Sequence, residues 1–194
     1  MQPGPHADLM AEGLRADGDA FRAMFDGRRD DARASLREAA GLFRASWEAA
    51  PPRSYGRLVA YLKSATLAGD GPEAAAYVRG QLTGACDSPT SCYAAAIAAL
   101  LEGDDAAAAA AAAAMRSGGE AFDRAAEALA ALAAGEAGRY RAAVEAIVAD
   151  FEARDAHVTG VPVADTAMLM EALADRRGIA ARPRSPLIPQ AAAR

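Results

Sequence analysis

Apolar residues recur along this chain at helical spacing from one end to the other. Leu36, Ala40, Phe43 and Trp47 fall at i, i+4, i+7 and i+11, which places them on one stripe of a helix. Tyr140, Val144, Ile147, Val148 and Phe151 form a second stripe, and Phe122, Leu129 and Leu132 a third with alanines between them. Leu58, Tyr61, Leu62 and Ala65 make another, as do Tyr93, Ile97, Leu100 and Leu101. Nowhere does a run alternate apolar and polar residues with β-branched side chains, so strands are not expected. The pattern predicts an all-α chain.

Glycines stand between the stripes and punctuate them. Gly27 and Ala32, Gly71 and Ala76, Gly103 and Ala108, and Gly138 and Ala143 all read Gly-x-x-x-x-Ala, at intervals of 44, 32 and 35 residues. A glycine can end one helix in a left-handed conformation, and the alanine lets the returning helix come close. Intervals of this size point to stacked helical hairpins, and Gly138-x-Tyr140-x-x-Ala143 looks like the middle of a tetratricopeptide repeat. The expected fold is an irregular array of about eight or nine antiparallel helices of tetratricopeptide-like kind. The alternative is an irregular helical bundle with glycine in its loops. Pro51–Pro52 and Ser88–Pro89 mark further helix entries, the second as an N-cap followed by proline in the first turn.

Composition changes this picture in one respect. The chain holds 57 alanines in 194 residues, so its apolar fraction of 53% overstates the area available to a core. The run Ala106–Ala114 is strongly helix-forming but supplies no large side chains, which favours a close-packed neighbour over a knobbed interface. The net charge of −5, with 21 basic and 26 acidic residues and no basic stripe among aromatics, argues against a nucleic-acid binder. The opening MQPGPHADLM lacks the basic and apolar regions of a signal peptide. No apolar run reaches the roughly 18 residues of a membrane span. A cytoplasmic protein with no membrane partner is therefore expected. Cys86 and Cys92 fit neither a zinc knuckle nor a redox C-x-x-C, and in such a protein they are expected to be reduced.

Catalytic chemistry finds little support. There is no H-E-x-x-H, no phosphate-binding G-x-x-x-x-G-K-[ST], and no G-x-G-x-x-G after a strand. Lys63, the one lysine, reads as a side chain with its stem on apolar surface and its head in water. His157 sits near Asp150, Glu152, Arg154 and Asp155 and reads as a helix-end histidine capping carbonyls. A metal site would need further converging ligands. The expectation is no enzyme, no metal and no cofactor.

The C-terminal stretch carries a resemblance. Met168, Leu169, Ala172 and Leu173 form a helical segment, followed by Asp175-Arg176-Arg177-Gly178-Ile179 and then Ser185-Pro186-Leu187-Ile188-Pro189. This arrangement resembles the C-terminus of the immunity protein 49 family over about thirty residues. Leu187–Ile188 stands where that family more often has an aromatic–leucine pair. The resemblance implies a cytoplasmic bacterial protein that neutralises a cognate toxin domain by binding it, and it supplies no catalytic residues. It also implies that Leu187 and Ile188 dock on the last helix pair and close the array.

The expected function is therefore that of a protein-binding module, immunity-like, with a toxin domain as partner; the alternative is a general tetratricopeptide-like adaptor. Its default surface is the groove formed by successive first helices. Tyr55, Tyr61, Tyr77 and Tyr140 are the candidate anchors, since tyrosine supplies rigid contact area. Residues 1–182 are expected to form a single domain. Residues 183–194 form a Pro-rich tail, partly docked, and the first few residues and the chain from Arg182 onward are expected to be loosely held. The sequence leaves the oligomeric state open.

Overall fold

The computed structural model describes residues 4–82 and 86–189. Among these residues the chain forms nine α-helices and no strand. They are α1 (Pro5–Phe25), α2 (Arg29–Glu48), α3 (Gly56–Ala68), α4 (Gly71–Gln81), α5 (Pro89–Glu102), α6 (Asp105–Met115), α7 (Glu120–Ala134), α8 (Ala137–Glu152) and α9 (Asp165–Asp175). A short 3-10 turn, Arg116–Gly118, links α6 to α7. Each helix packs on the next, giving an array of antiparallel hairpins.

The helix ends follow from local chemistry. Ser88 accepts the Ser91 amide and Ser91 returns the bond to the Ser88 amide, a capping box with Pro89 in the first turn. Asp104 accepts the Ala107 amide and so caps α6. Gly69, Gly103 and Gly135 end α3, α5 and α7 in the left-handed region, with φ of 98°, 81° and 69°. After each, the next amide (Asp70, Asp104, Glu136) bonds back to a carbonyl in the last turn, at 2.8, 2.9 and 3.0 Å.

The true repeat thus differs from the one expected in two of its four members. Gly71 and Gly138 lie inside helix starts, whereas Gly69 and Gly135 make the turns. The turn glycines of α3, α5 and α7 are 34 and 32 residues apart, closer to one period than the sequence motif suggested. Five residues after each turn glycine comes a buried side chain: Ala74, Ala108 or Tyr140. Ala76, the partner assigned to Gly71, is exposed. Its spacing matched the motif, but it faces away from the neighbouring helix.

Small side chains set the packing distance. In α6, Ala108, Ala111, Ala112 and Met115 are buried at i, i+3, i+4 and i+7, and the other alanines of the run are exposed. The run thus packs closely on one face and stands half exposed on the other. Gly13 of α1 meets Phe43 of α2 so closely that an added Cβ would lie 2.5 Å from the ring. Phe43, Leu58, Leu62, Ile97, Leu129 and Tyr140 belong to one continuous cluster from α2 to α9, while Phe21 and Leu36 sit in two smaller clusters against α1.

The last helix closes the array. α3, α5 and α7 lie side by side, and α9 rests on α3, α7 and α8. At its end, Arg176 donates to the Leu101 carbonyl and Arg177 to the carbonyls of Leu100 and Leu132. These carbonyls belong to the last turns of α5 and α7, so α9 runs in the same sense as both. The segment before it crosses to α1, where Val161 and Val163 pack on Phe21.

Three expectations are corrected here. Cys86 and Cys92 form a disulfide, because the start of α5 brings Cys92 back over Cys86, with Cα atoms 4.7 Å apart. Pro51–Pro52 stand in the linker, and α3 begins only at Gly56. Residues 182–189 are held rather than loose: Ser185 donates to Glu152, and the Leu187 carbonyl accepts the Ala164 amide at 2.9 Å. Leu187 and Ile188 pack against the main core. At the other terminus α1 is already formed at Pro5. Residues 1–3 and 190–194, the extreme ends of both segments, lie outside the described residues.

Two glycines in adjacent helices should respond oppositely to alanine. Gly13→Ala forces a methyl into the Phe43 ring and should destabilise the protein by about 1–3 kcal/mol. Gly41→Ala, in mid-α2 with nothing within 4 Å, should stabilise it by about 0.5–1 kcal/mol. Urea denaturation of both variants checks the pair, and equal signs would contradict the packing.

Candidate functional site

Charge is concentrated where α9 begins. Lys63 of α3 and Asp165, the first residue of α9, form an ion pair whose side chains are only 17% and 18% exposed. Lys63 therefore does not run its head into water as expected; an aspartate from α9 receives it. Asp17 of α1 is fully buried beside this pair and accepts a hydrogen bond from Ser64 Oγ at 2.7 Å. Its second carboxylate oxygen, Oδ2, has no hydrogen-bond partner among the described residues.

Electrostatics set Asp17, Lys63 and Tyr93 apart. Burial pushes the Asp17 carboxyl up from 3.8 to about 6; the Lys63 charge and the Ser64 hydrogen bond pull the other way, while Asp165 adds to the rise. Burial pulls the Lys63 ammonium down, but Asp165 and Asp17 outweigh it and hold the group above its ordinary value. The Tyr93 hydroxyl, on α5, is driven well up by burial and by Asp165, against a smaller opposing effect of Thr166.

Next to this cluster opens a cavity of about 270 Å³. Its apolar walls come from Val59, Tyr93, Phe122, Ile147 and Phe151. Tyr93 and Phe122 meet edge to face, with ring centroids 6.3 Å apart. The charged side chains on its wall are Arg124, Arg154 and Asp150, and Asp150 bridges the two guanidiniums. Arg154 also lies 3.7 Å above the Phe151 ring, against which His157 stacks. His157 thus follows α8 rather than capping it, and its carbonyl closes a turn to Gly160.

The four candidate tyrosines fall into two kinds. Tyr140 is fully buried and donates its hydroxyl to Glu171, which also accepts the Ala181 and Arg182 amides and so pins the tail. Tyr61 is 8% exposed and belongs to the core. Neither offers surface to a partner, because each stripe they lie on faces the next helix. Tyr55 and Tyr77 are half-buried. Tyr55 stacks on Trp47 at 5.8 Å, and Trp47 donates to Gln81. Tyr77 lies under Arg44 at 4.2 Å and donates to Glu48. These contacts join α2, α4 and the residue preceding α3.

Sequence reasoning missed Asp17, Asp165, Tyr93 and Arg124. One signal was available for the first two: the single lysine of the chain stands on an otherwise apolar helix face, and such a charge needs a carboxylate partner. Which aspartates answer it depends on the path of α9. Comparison with protein-family models, with curated proteins and with solved structures finds no match to the chain.

Asp17 gives the protein a pH signature. Its folded value lies above the ordinary one, so the folded state holds the proton more tightly. That contribution is complete below about pH 4 and is lost as the pH rises through about 6, a change of about 3 kcal/mol. Asp17→Asn should remove this slope. Urea midpoints across that window for parent and variant check it; parallel curves would show that Asp17 does not titrate there.

Proposed function

We propose that the chain is a non-enzymatic protein-binding module, most concretely an immunity-like protein that neutralises a cognate bacterial toxin domain by direct binding in the cytoplasm. The observation that carries this reading is the half-exposed group of Trp47, Tyr55, Tyr77 and Arg44. Tryptophan, tyrosine and arginine dominate binding energy at protein interfaces. Here stacking and hydrogen bonds already hold them, so little side-chain freedom is lost on association.

Access supports the same face. The groove expected as the default surface is covered by α9 and the segments beside it, which leaves the α2–α4 edge open. The net charge of −5 would speed capture of a basic partner. The resemblance of Asp175–Ile179 and Ser185–Pro189 to the immunity protein 49 family favours a toxin domain as that partner. Among the described residues no helix is long and apolar enough to cross a membrane. In a reducing cytoplasm the Cys86–Cys92 bond would open, and binding at the α2–α4 edge does not require it.

A second reading is a general tetratricopeptide-like adaptor, favoured by the 34- and 32-residue spacing of the turn glycines. The gene beside this one separates the two. A toxin domain encoded there should lose its toxicity when the chain is co-expressed, and Trp47→Ala and Tyr77→Ala should each weaken the complex by about tenfold or more. Tyr140→Phe should leave affinity unchanged. Continued toxicity beside the intact chain would overturn the immunity reading, and full affinity in both alanine variants would overturn the surface.

A further inference from the structure

The cavity beside α9 is not used by the protein-binding reading, and its chemistry points elsewhere. Four helices begin at its wall: Gly56 is the first residue of α3, and Thr90, Ala121 and Thr166 are the second residues of α5, α7 and α9. Helix N-termini carry partial positive charge. Two guanidiniums face one carboxylate on the same wall, leaving one positive charge over. Glu120, which also approaches Arg124, is 90% exposed and screened by water.

The guanidiniums also have donors to spare. Arg124 gives Nη2 to Asp150 and Nη1 to Glu120, and Arg154 gives Nη2 to Asp150, while each guanidinium carries five N–H groups in a fork. The remaining wall is aromatic and aliphatic. Its volume falls just below the range that holds drug-sized ligands, which suits a body of roughly ten non-hydrogen atoms. A single surplus charge matches a monoanion better than a dianion.

We propose that this cavity binds a small monocarboxylic acid with a compact apolar body, its carboxylate on Arg124 and Arg154 and its body between Tyr93, Phe122 and Phe151. The site is independent of the α2–α4 edge. Arg154 is the more available clamp, since it spends one donor where Arg124 spends two. Ala121 lines the cavity and is exposed, so a larger side chain there takes up ligand space without crowding the core.

Titration of the full chain with phenylacetate, followed by ligand-observed NMR and by melting temperature, tests this. Phenylacetate should bind saturably with a Kd of about 1 mM. Phenethylammonium, of similar shape and opposite charge, and acetate, which has the charge without the body, should not. Arg154→Gln and Ala121→Leu should each weaken phenylacetate by about tenfold or more, and the second keeps the test open should the first unfold the protein. No saturable binding up to about 10 mM, equal binding of the ammonium compound, or full affinity in the folded variants would overturn the proposal.

Discussion

The placement of α9 across α3 and α7 decides the rest of this structure. Without it, the inner sides of the hairpins would present an open apolar face, and the chain would be an array with a groove. With it, Leu169, Met170 and Leu173 are buried in the same core as Leu58, Leu62 and Leu129. Both ends of the helix are fastened by charge: Lys63 holds Asp165 at the start, and Arg176 and Arg177 cap the carbonyl ends of α5 and α7 at the finish. The lysine pair cannot be left half-made, because a buried charge without its partner costs several kcal/mol. The tail then follows, fixed by Glu171 on one side and by Ala164 and Glu152 on the other.

Closure also explains what the surface and the interior are free to do. With the inner face covered, Trp47, Tyr55 and Tyr77 lie half-buried where α2, α4 and the start of α3 meet. Closure leaves a gap where the starts of four parallel helices and the end of α8 do not quite meet, which is the cavity. The alanines make this tolerable. Helices that approach through Ala108, Ala112, Ala126 and Ala128 need few large side chains to exclude water, and the main core cluster is continuous despite its small average residue.

Much of the helical layout was legible in the chain, because an amphipathic stripe reports its own period. The stripes through Leu36, Leu58, Ile97, Leu129 and Val144 face the interior over most of their length, with Trp47, Tyr93 and Phe122 half-buried at their ends. The turn register was only partly legible. Gly69 and Gly71 are both candidates on spacing, and only the backbone hydrogen bond from Asp70 to Ala65 distinguishes the turn glycine from one inside the next helix. The tyrosines follow the stripes: Tyr61 and Tyr140, which lie on them, are buried, whereas Tyr55 and Tyr77, which lie on none, are half-buried. The charged cluster was hidden for a topological reason. Asp17, Lys63 and Asp165 come from α1, α3 and α9, and no local spacing brings together groups so far apart in the chain.

α9 is part of the folded core rather than an appendage lying on it. Native-state amide hydrogen exchange reads this directly, since each helix exchanges with the free energy of the opening that exposes it. Amides of Leu169, Met170 and Leu173 should exchange only through global unfolding, with the same protection and the same denaturant dependence as those of Leu62 in α3 and Leu129 in α7. Exchange of the α9 amides through a smaller, separate opening, while α3 and α7 stay protected, would contradict it.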